Sequence, residues 1–183
     1  MPVIRQDLTL TQSVCNHVIN VPVEKVDIGK WLFSLSDAEY QRCCPPDHIA
    51  VGVTKTEDGR PMSINVETIG TSLAVQHYVG EVVNKDFCRM VSTSDIFLTN
   101  GKTQMQVIWE LSVKAVNDNQ TEFTNSVRSH PTKDFLNIIE SQGLTFEQVA
   151  KDRQKIVEDH NGRETPLFAE SIARAAREMI ASK

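Results

Sequence analysis

No stretch of this chain approaches the roughly 18 consecutive apolar residues of a membrane-spanning helix, and the opening MPVIRQDLTL breaks its apolar residues with Arg5 and Asp7. No membrane partner is expected, and a cytoplasmic location is. Basic clusters are also missing. Nineteen Lys and Arg stand against 24 Asp and Glu, for a net charge of −5, a balance that argues against nucleic acid and anionic lipid surfaces as partners. Cysteine is scarce: Cys15, Cys43, Cys44 and Cys88 are scattered, and the adjacent pair is poorly placed to bond to itself, as fits a reducing compartment. Cys43, Cys44 and His48 lack a second ligand pair at zinc spacing, so no metal site is expected. Repeats, low-complexity tracts and linkers are absent. The 183 residues fit a single domain over 1–183, long enough to bury a core without disulfides or a structural metal.

What is present reads as strands and helices in blocks. The run Val14 to Val23 is rich in β-branched residues, with Pro22 at its end. A helical segment follows, carrying Val26, Trp31, Leu32 and Leu35, and Ser36 with Glu39 forms a capping box for a second short helix that Pro45-Pro46 stops. From His48 to His130, turn residues recur at short intervals. Asp58-Gly59, Gly70-Thr71, 84–86, Asn100-Gly101 and 117–119 divide six strands at about 48–56, 61–69, 72–83, 87–99, 103–116 and 120–130, an antiparallel meander. After Pro131 the period becomes helical again. Phe135, Leu136 and Ile139 form one stripe, Gly143 ends it, and Thr145 with Gln148 opens a helix running to about His160. Asn161-Gly162 reads as its stop, and Thr165-Pro166 as the start of a last helix bearing Phe168, Ile172, Ala176 and Met179 on one side.

The central strand of the meander is Leu73 to Val83, where Leu73, Val75, Val79 and Val83 alternate with smaller or polar residues and His77 falls in the same set. Carrying this face across the turns sets Val53 opposite Ile64, Val51 opposite Val66, Val66 opposite Val75 and Ile64 opposite His77. A four-residue loop at 84–87 then pairs Val79 with Ser92 and His77 with Ser94. The next turns place Ser94 opposite Val107, Ser92 opposite Trp109 and Leu111 opposite Asn125. Ile64, Val66, Val75, His77, Ser92, Ser94, Val107, Trp109 and Asn125 thus become one expected ligand-binding wall: mostly apolar, with a few polar points, as in a small-molecule pocket. His77 and Ser94 are its candidate catalytic residues, because an imidazole titrating near neutrality can move protons. The ordinary alternative is that His77 only donates to Ser94, so that no buried polar group goes unpaired. Glu81 shares the expected face, but four residues along a strand put it roughly 13 Å away, too far to complete a triad.

The order strand, two short helices, long meander and C-terminal helix resembles the START-related superfamily, also called SRPBCC or helix-grip, of polyketide cyclases and lipid-transport proteins. The segments that carry the resemblance are VINVPVEKV with WLFSL, the meander pieces MSINVETIG, SLAVQHYVGEVV and MQVIWELSVKAV, and the helix beginning HPTKDFLNII. It implies an α+β fold, with a curved antiparallel sheet wrapped around a C-terminal helix. The core would be about 14–142; this chain departs from the family in that Gly143 ends the C-terminal helix early and 145–183 adds an extension of two extra helices. It also implies an apolar cavity for a small hydrophobic or aromatic ligand, with no cofactor. Three function classes stay open: a binding protein, a cyclase, hydrolase or isomerase working without a cofactor, and an interaction module whose C-terminal helices form a homodimer.

Overall fold

The computed structural model describes residues 2–99 and 101–181, with side chains through residue 178. Seven strands form one antiparallel sheet in the order β1-β7-β6-β5-β4-β3-β2. They are β1 (Thr11–Ile19), β2 (His48–Lys55), β3 (Pro61–Ile69), β4 (Ser72–Val83), β5 (Phe87–Leu98), β6 (Gly101–Asn117) and β7 (Gln120–Pro131). Between β1 and β2 lie a 3-10 turn at Val23–Lys25 and the short helices α1 (Ile28–Leu32) and α2 (Asp37–Cys43). Helices α3 (Lys133–Ser141) and α4 (Phe146–Ala181) follow the sheet. Local chemistry explains the starts: the Ser36 hydroxyl accepts from the Glu39 amide, the Thr132 hydroxyl from the Phe135 amide, and Thr145 and Gln148 satisfy each other's backbone amides. Gly143 takes φ +71° where α3 ends.

The meander keeps the expected strands but not every expected register. β3 and β4 pair as anticipated, with Ile64 opposite His77 and Val66 opposite Val75. β6 and β7 also do, with Leu111 opposite Asn125. The β2–β3 loop is longer than a two-residue turn. Thr56 and Arg60 close it, Gly59 takes φ +85°, and Val51 and Val53 move opposite Asn65 and Ser63. At the β5–β6 turn Asn100 lies outside the described residues. Leu98 pairs with Gly101, so Ser92 faces Val107 and Ser94 faces Met105, a two-residue shift that preserves the face.

The decisive departure is a β-bulge in β4. Val83 pairs with Cys88, as a four-residue loop requires, but the register shifts between Gly80 and Val82, and Val79 meets Val91 rather than Ser92. One extra residue turns every side chain beyond it to the other side of the sheet. Ser72, Ala74, Gln76 and Tyr78 therefore face inward, and β3 follows with Ser63, Asn65 and Glu67. Ile64, Val66, Val75 and His77 lie half-buried on the convex face. Gly80 permits the bulge: a Cβ there would meet Val83 Cγ2 at 2.6 Å and Pro61 Cγ at 3.2 Å.

The C-terminal part is also rebuilt. A single 36-residue helix, α4, replaces the two extra helices and runs through Asn161, Gly162 and Pro166. Its middle is tied to the sheet. The Asn161 amide donates to the Ser13 hydroxyl (2.9 Å) and the Asn125 carbonyl (3.3 Å), and the Thr165 hydroxyl donates to the Asn161 carbonyl (2.6 Å). These tertiary bonds override the local stop signals, and Pro166 removes only the rung to Gly162. The long helix across the concave face is thus α4, not the Pro131 helix, which is the short α3. The inner side of its second half, with Phe168, Ala169, Ile172, Ala173 and Ala176, is buried in the core and is not free for a second copy. Met179 lies outside the described side chains. Among the described residues, no helix is long and apolar enough to cross a membrane.

Candidate ligand cavity and its histidine–glutamate corner

Between the concave sheet and α4 lies a cavity with about 60 Å³ of water-accessible space, several times the roughly 10–15 Å³ that one buried water requires. Its surface is largely apolar, from Ala74, Ile96, Met105, Val107, Trp109, Val127, Val157 and Phe168. α4 contributes Arg153, Val157, His160, Asn161, Glu164 and Phe168, which recur at helical spacing on one face. Arg153 and His160 are about 10 Å apart along the axis at 1.5 Å per residue. The cavity therefore runs along the helix, with a different polar group toward each end.

At the inner end, two imidazoles and two carboxylates converge from α4, β2 and β3. His48, Glu67, His160 and Glu164 are 4%, 5%, 6% and 6% exposed. His48 Nε2 is 3.1 Å from Glu164 Oε2 and 3.4 Å from Glu67 Oε2, and His160 Nε2 is 3.3 Å from Glu67 Oε2 and 3.5 Å from Glu164 Oε2. The outward nitrogens are held as well: His48 Nδ1 donates to the Tyr40 carbonyl (2.9 Å) and His160 Nδ1 to Asp47 Oδ2 (2.9 Å). Asp47 is in turn paired with Arg163. Tyr40 stacks on His48 with centroids 3.9 Å apart, and its hydroxyl donates to Glu67 (3.2 Å). Burial works against charge at His160, but its bonds to Cys44, Glu164 and Glu67 outweigh it and hold the imidazole far above its ordinary range. For Glu164, burial is likewise outweighed, by His160 and His48, and the carboxyl is pulled down.

Two donors lining the cavity have no hydrogen-bond or ion-pair partner among the described residues. No charge or hydrogen bond offsets the burial of Arg153, which lowers its guanidinium below the usual value. Tyr78 is pushed well up by burial and by the charges of Glu67 and Glu164, with no hydrogen bond opposing them.

The sequence-expected residues divide between these surroundings. Val107 and Trp109 line the cavity. Asn125 lies behind that wall, accepting from Trp109 Nε1 (2.8 Å) and donating to Glu164 Oε1 (3.0 Å) and Thr165 Oγ1 (3.2 Å), so it couples sheet to helix. Ser92 and Ser94 are buried on the concave side, 2.9 Å apart. The Ser92 hydroxyl accepts from the His77 backbone amide (2.7 Å) where the β4–β5 ladder opens between Val75 and Val79. Ser92 and His77 thus meet through a backbone group, while the His77 ring points to the convex side with Ile64, Val66 and Val75. Glu81, the extra residue of the bulge, pairs with Arg89 (3.0 Å). Burial pushes the thiol of Cys88 up to about 11 and that of Cys43 to about 12, leaving both unreactive. Sequence reasoning weighed His48 only as a zinc ligand beside Cys43 and Cys44, and it missed Glu67, His160 and Glu164. The available signal was the i, i+4 spacing of His160 and Glu164, which the expected stop at Asn161-Gly162 cut in two.

No protein-family model matches the sequence, and no curated protein matches it. Solved structures do match in shape. The Zhui aromatase/cyclase from Streptomyces sp. R1128 aligns with a TM-score of 0.56 at 10% identity over 92% of this chain and 94% of its own. A START superfamily protein from Mycobacterium smegmatis aligns at 0.52 and 10% identity over 92% and 98%. The di-domain ARO/CYC StfQ from the steffimycin biosynthetic pathway aligns at 0.60 and 13% identity, over 97% of this chain and 54% of that one. Such identities speak to shape alone, and with the curved seven-stranded sheet gripping α4 they establish that this chain has the START-like helix-grip fold.

Proposed function

We propose that the chain binds a small, largely apolar or aromatic molecule carrying one acidic oxygen, with its body against Val107, Trp109 and Phe168 and its charge on Arg153. The observation that carries this reading is the Arg153 guanidinium in the wall of a largely apolar cavity, without a hydrogen-bond or ion-pair partner among the described residues and at the opposite end from His160 and Glu164. A desolvated cation without an internal partner gains from an incoming anion, and a few placed polar groups in an apolar pocket are what orient a small ligand. Two structures sharing the fold are named as aromatase/cyclases, which is in keeping with an aromatic ligand. Calorimetric titration with 2-naphthoate and with neutral 2-naphthalenemethanol tests it. The carboxylate binds at least tenfold tighter, and Arg153→Gln abolishes that preference while leaving the fold intact. Equal affinities in the wild-type protein, or no binding of either compound, would overturn the proposal.

A second reading, catalysis on the bound molecule, is favoured by one observation: the two imidazoles and two carboxylates gathered at the inner end of the same cavity. Hydrolysis of 4-nitrophenyl acetate that His160→Gln removes would support it. A rate equal in both proteins counts against the hydrolytic form.

A further inference from the structure

We propose that His48, Glu67, His160 and Glu164 bind one divalent transition-metal ion, with zinc the best fit, at the inner end of the cavity. The first support is geometric. The four imidazole–carboxylate distances are 3.1, 3.3, 3.4 and 3.5 Å, and the four ligand atoms all lie within 4.8 Å of one another. Charge-assisted N–H···O bonds close to about 2.7–2.9 Å. Here each Nε2 lies between two carboxylate oxygens, and only the His48–Glu164 contact, at 3.1 Å, falls in the ordinary hydrogen-bond range, so the four atoms surround a common point. Four of the six edges are thus about 3.3 Å and the other two at most 4.8 Å, so a central point lies about 2.0–2.3 Å from each atom, close to the usual Zn–N and Zn–O distances.

The second support is independent and concerns where the protons are. A backbone carbonyl only accepts, so His48 Nδ1 carries its proton toward Tyr40, and His160 Nδ1 carries its own toward Asp47. This is the outer support that ligating histidines have: with Nδ1–H held outward, each ring would present its Nε2 lone pair inward once a metal ion takes the place of the Nε2 proton. Glu164 is oriented the same way: Asn125 holds its Oε1, and Oε2 faces the middle. Two neutral imidazoles and two carboxylates sum to −2, which one divalent ion neutralises. Two imidazole nitrogens and two carboxylate oxygens suit zinc among the divalent metals. The alternative trio Cys44, His48 and His160 is less favourable, because the His160 nitrogen nearest Cys44, at 3.7 Å, is the one already bonded to Asp47. Glu67, His160 and Glu164 line the cavity, which supplies a way in for the ion. The site stands whether or not the cavity takes the carboxylate proposed above.

The full chain, dialysed against a chelator and titrated with Co²⁺ as a spectroscopic stand-in, tests the proposal. One equivalent saturates a visible band typical of four-coordinate cobalt, and one equivalent of Zn²⁺ removes it. Glu164→Gln and His48→Gln lose that uptake at least a hundredfold. Asp47→Asn, which acts through His160, weakens it about 10–100-fold. Should the variants not fold, X-ray absorption of the zinc-loaded wild type decides: a shell of mixed nitrogen and oxygen with imidazole scattering supports the site, and an oxygen-only shell overturns it. A sulfur-to-metal charge-transfer band would move the ion to Cys44. No stoichiometric uptake would make the cluster a hydrogen-bonded network balanced by protons, and either result ends the proposal.

Discussion

His77 and His160 are both imidazoles on elements that wall the cavity, and what separates them is one residue of register. The His77 ring sits half-buried on the convex face, on β4 beside β5, where Asp95 is paired with Lys102 and Gln104. The His160 ring is enclosed with Glu67, Glu164 and Asp47. His77→Ala is therefore expected to leave 2-naphthoate affinity within twofold of wild type and to change stability by less than about 1 kcal/mol. Calorimetry and urea unfolding check both, and loss of binding would return His77 to the site. Glu39 gives a prediction in pH. Burial alone would raise its carboxyl, but bonds from Ser171, Arg174 and Arg42 hold it at about 2, against an ordinary 4.5. A depressed carboxyl contributes stability that is present above about pH 4.5 and lost as pH falls toward 2. Glu39→Gln should cost about 1 kcal/mol at pH 7, since its arginine partners are largely solvated. The difference from wild type should vanish near pH 2, and a difference independent of pH would show that the ion pairs are not its source.

At the scale of elements, the strands of the meander were legible because turn residues are local signals: Gly59 and Gly70 take the positive φ angles that the chain needs there. Which face is buried was not. Alternation in β4 is equally strict on both faces, and the apolar set of Leu73, Val75 and Val79 turned out to be the solvent side, while Gln76, Asn65 and Glu67 went in. The bulge that decides this depends on how Gly80 packs against Pro61 and Val83, a through-space fact with no local signature. Gly80→Ala forces Val83 or Pro61 to shift and is expected to destabilise the chain by about 1–3 kcal/mol in urea unfolding. A neutral result would mean that the bulge does not need the glycine. Val107 and Trp109 could be placed in the wall because the bulge precedes β5, and the later hairpins keep their face even where the register shifts by two.

Over the whole molecule, α4 is the organising element, and its continuity was the least legible feature. Asn161-Gly162 and Pro166 are sound stop signals in isolation, and they are overridden because Asn161 and Thr165 bond to the sheet and to each other across the break. That one helix supplies the cavity's arginine, Arg153, and half of the corner, His160 and Glu164. The fold class could be inferred from element order, whereas the site required knowing that residues 44–48, 67 and 160–164 meet. The most direct test that the cavity along α4 is the binding site is imidazole ¹⁵N NMR during titration with 2-naphthoate. The His160 resonances are predicted to move to saturation while those of His77 stay fixed; a saturating shift at His77 with His160 unmoved would place the ligand on the other side of the sheet.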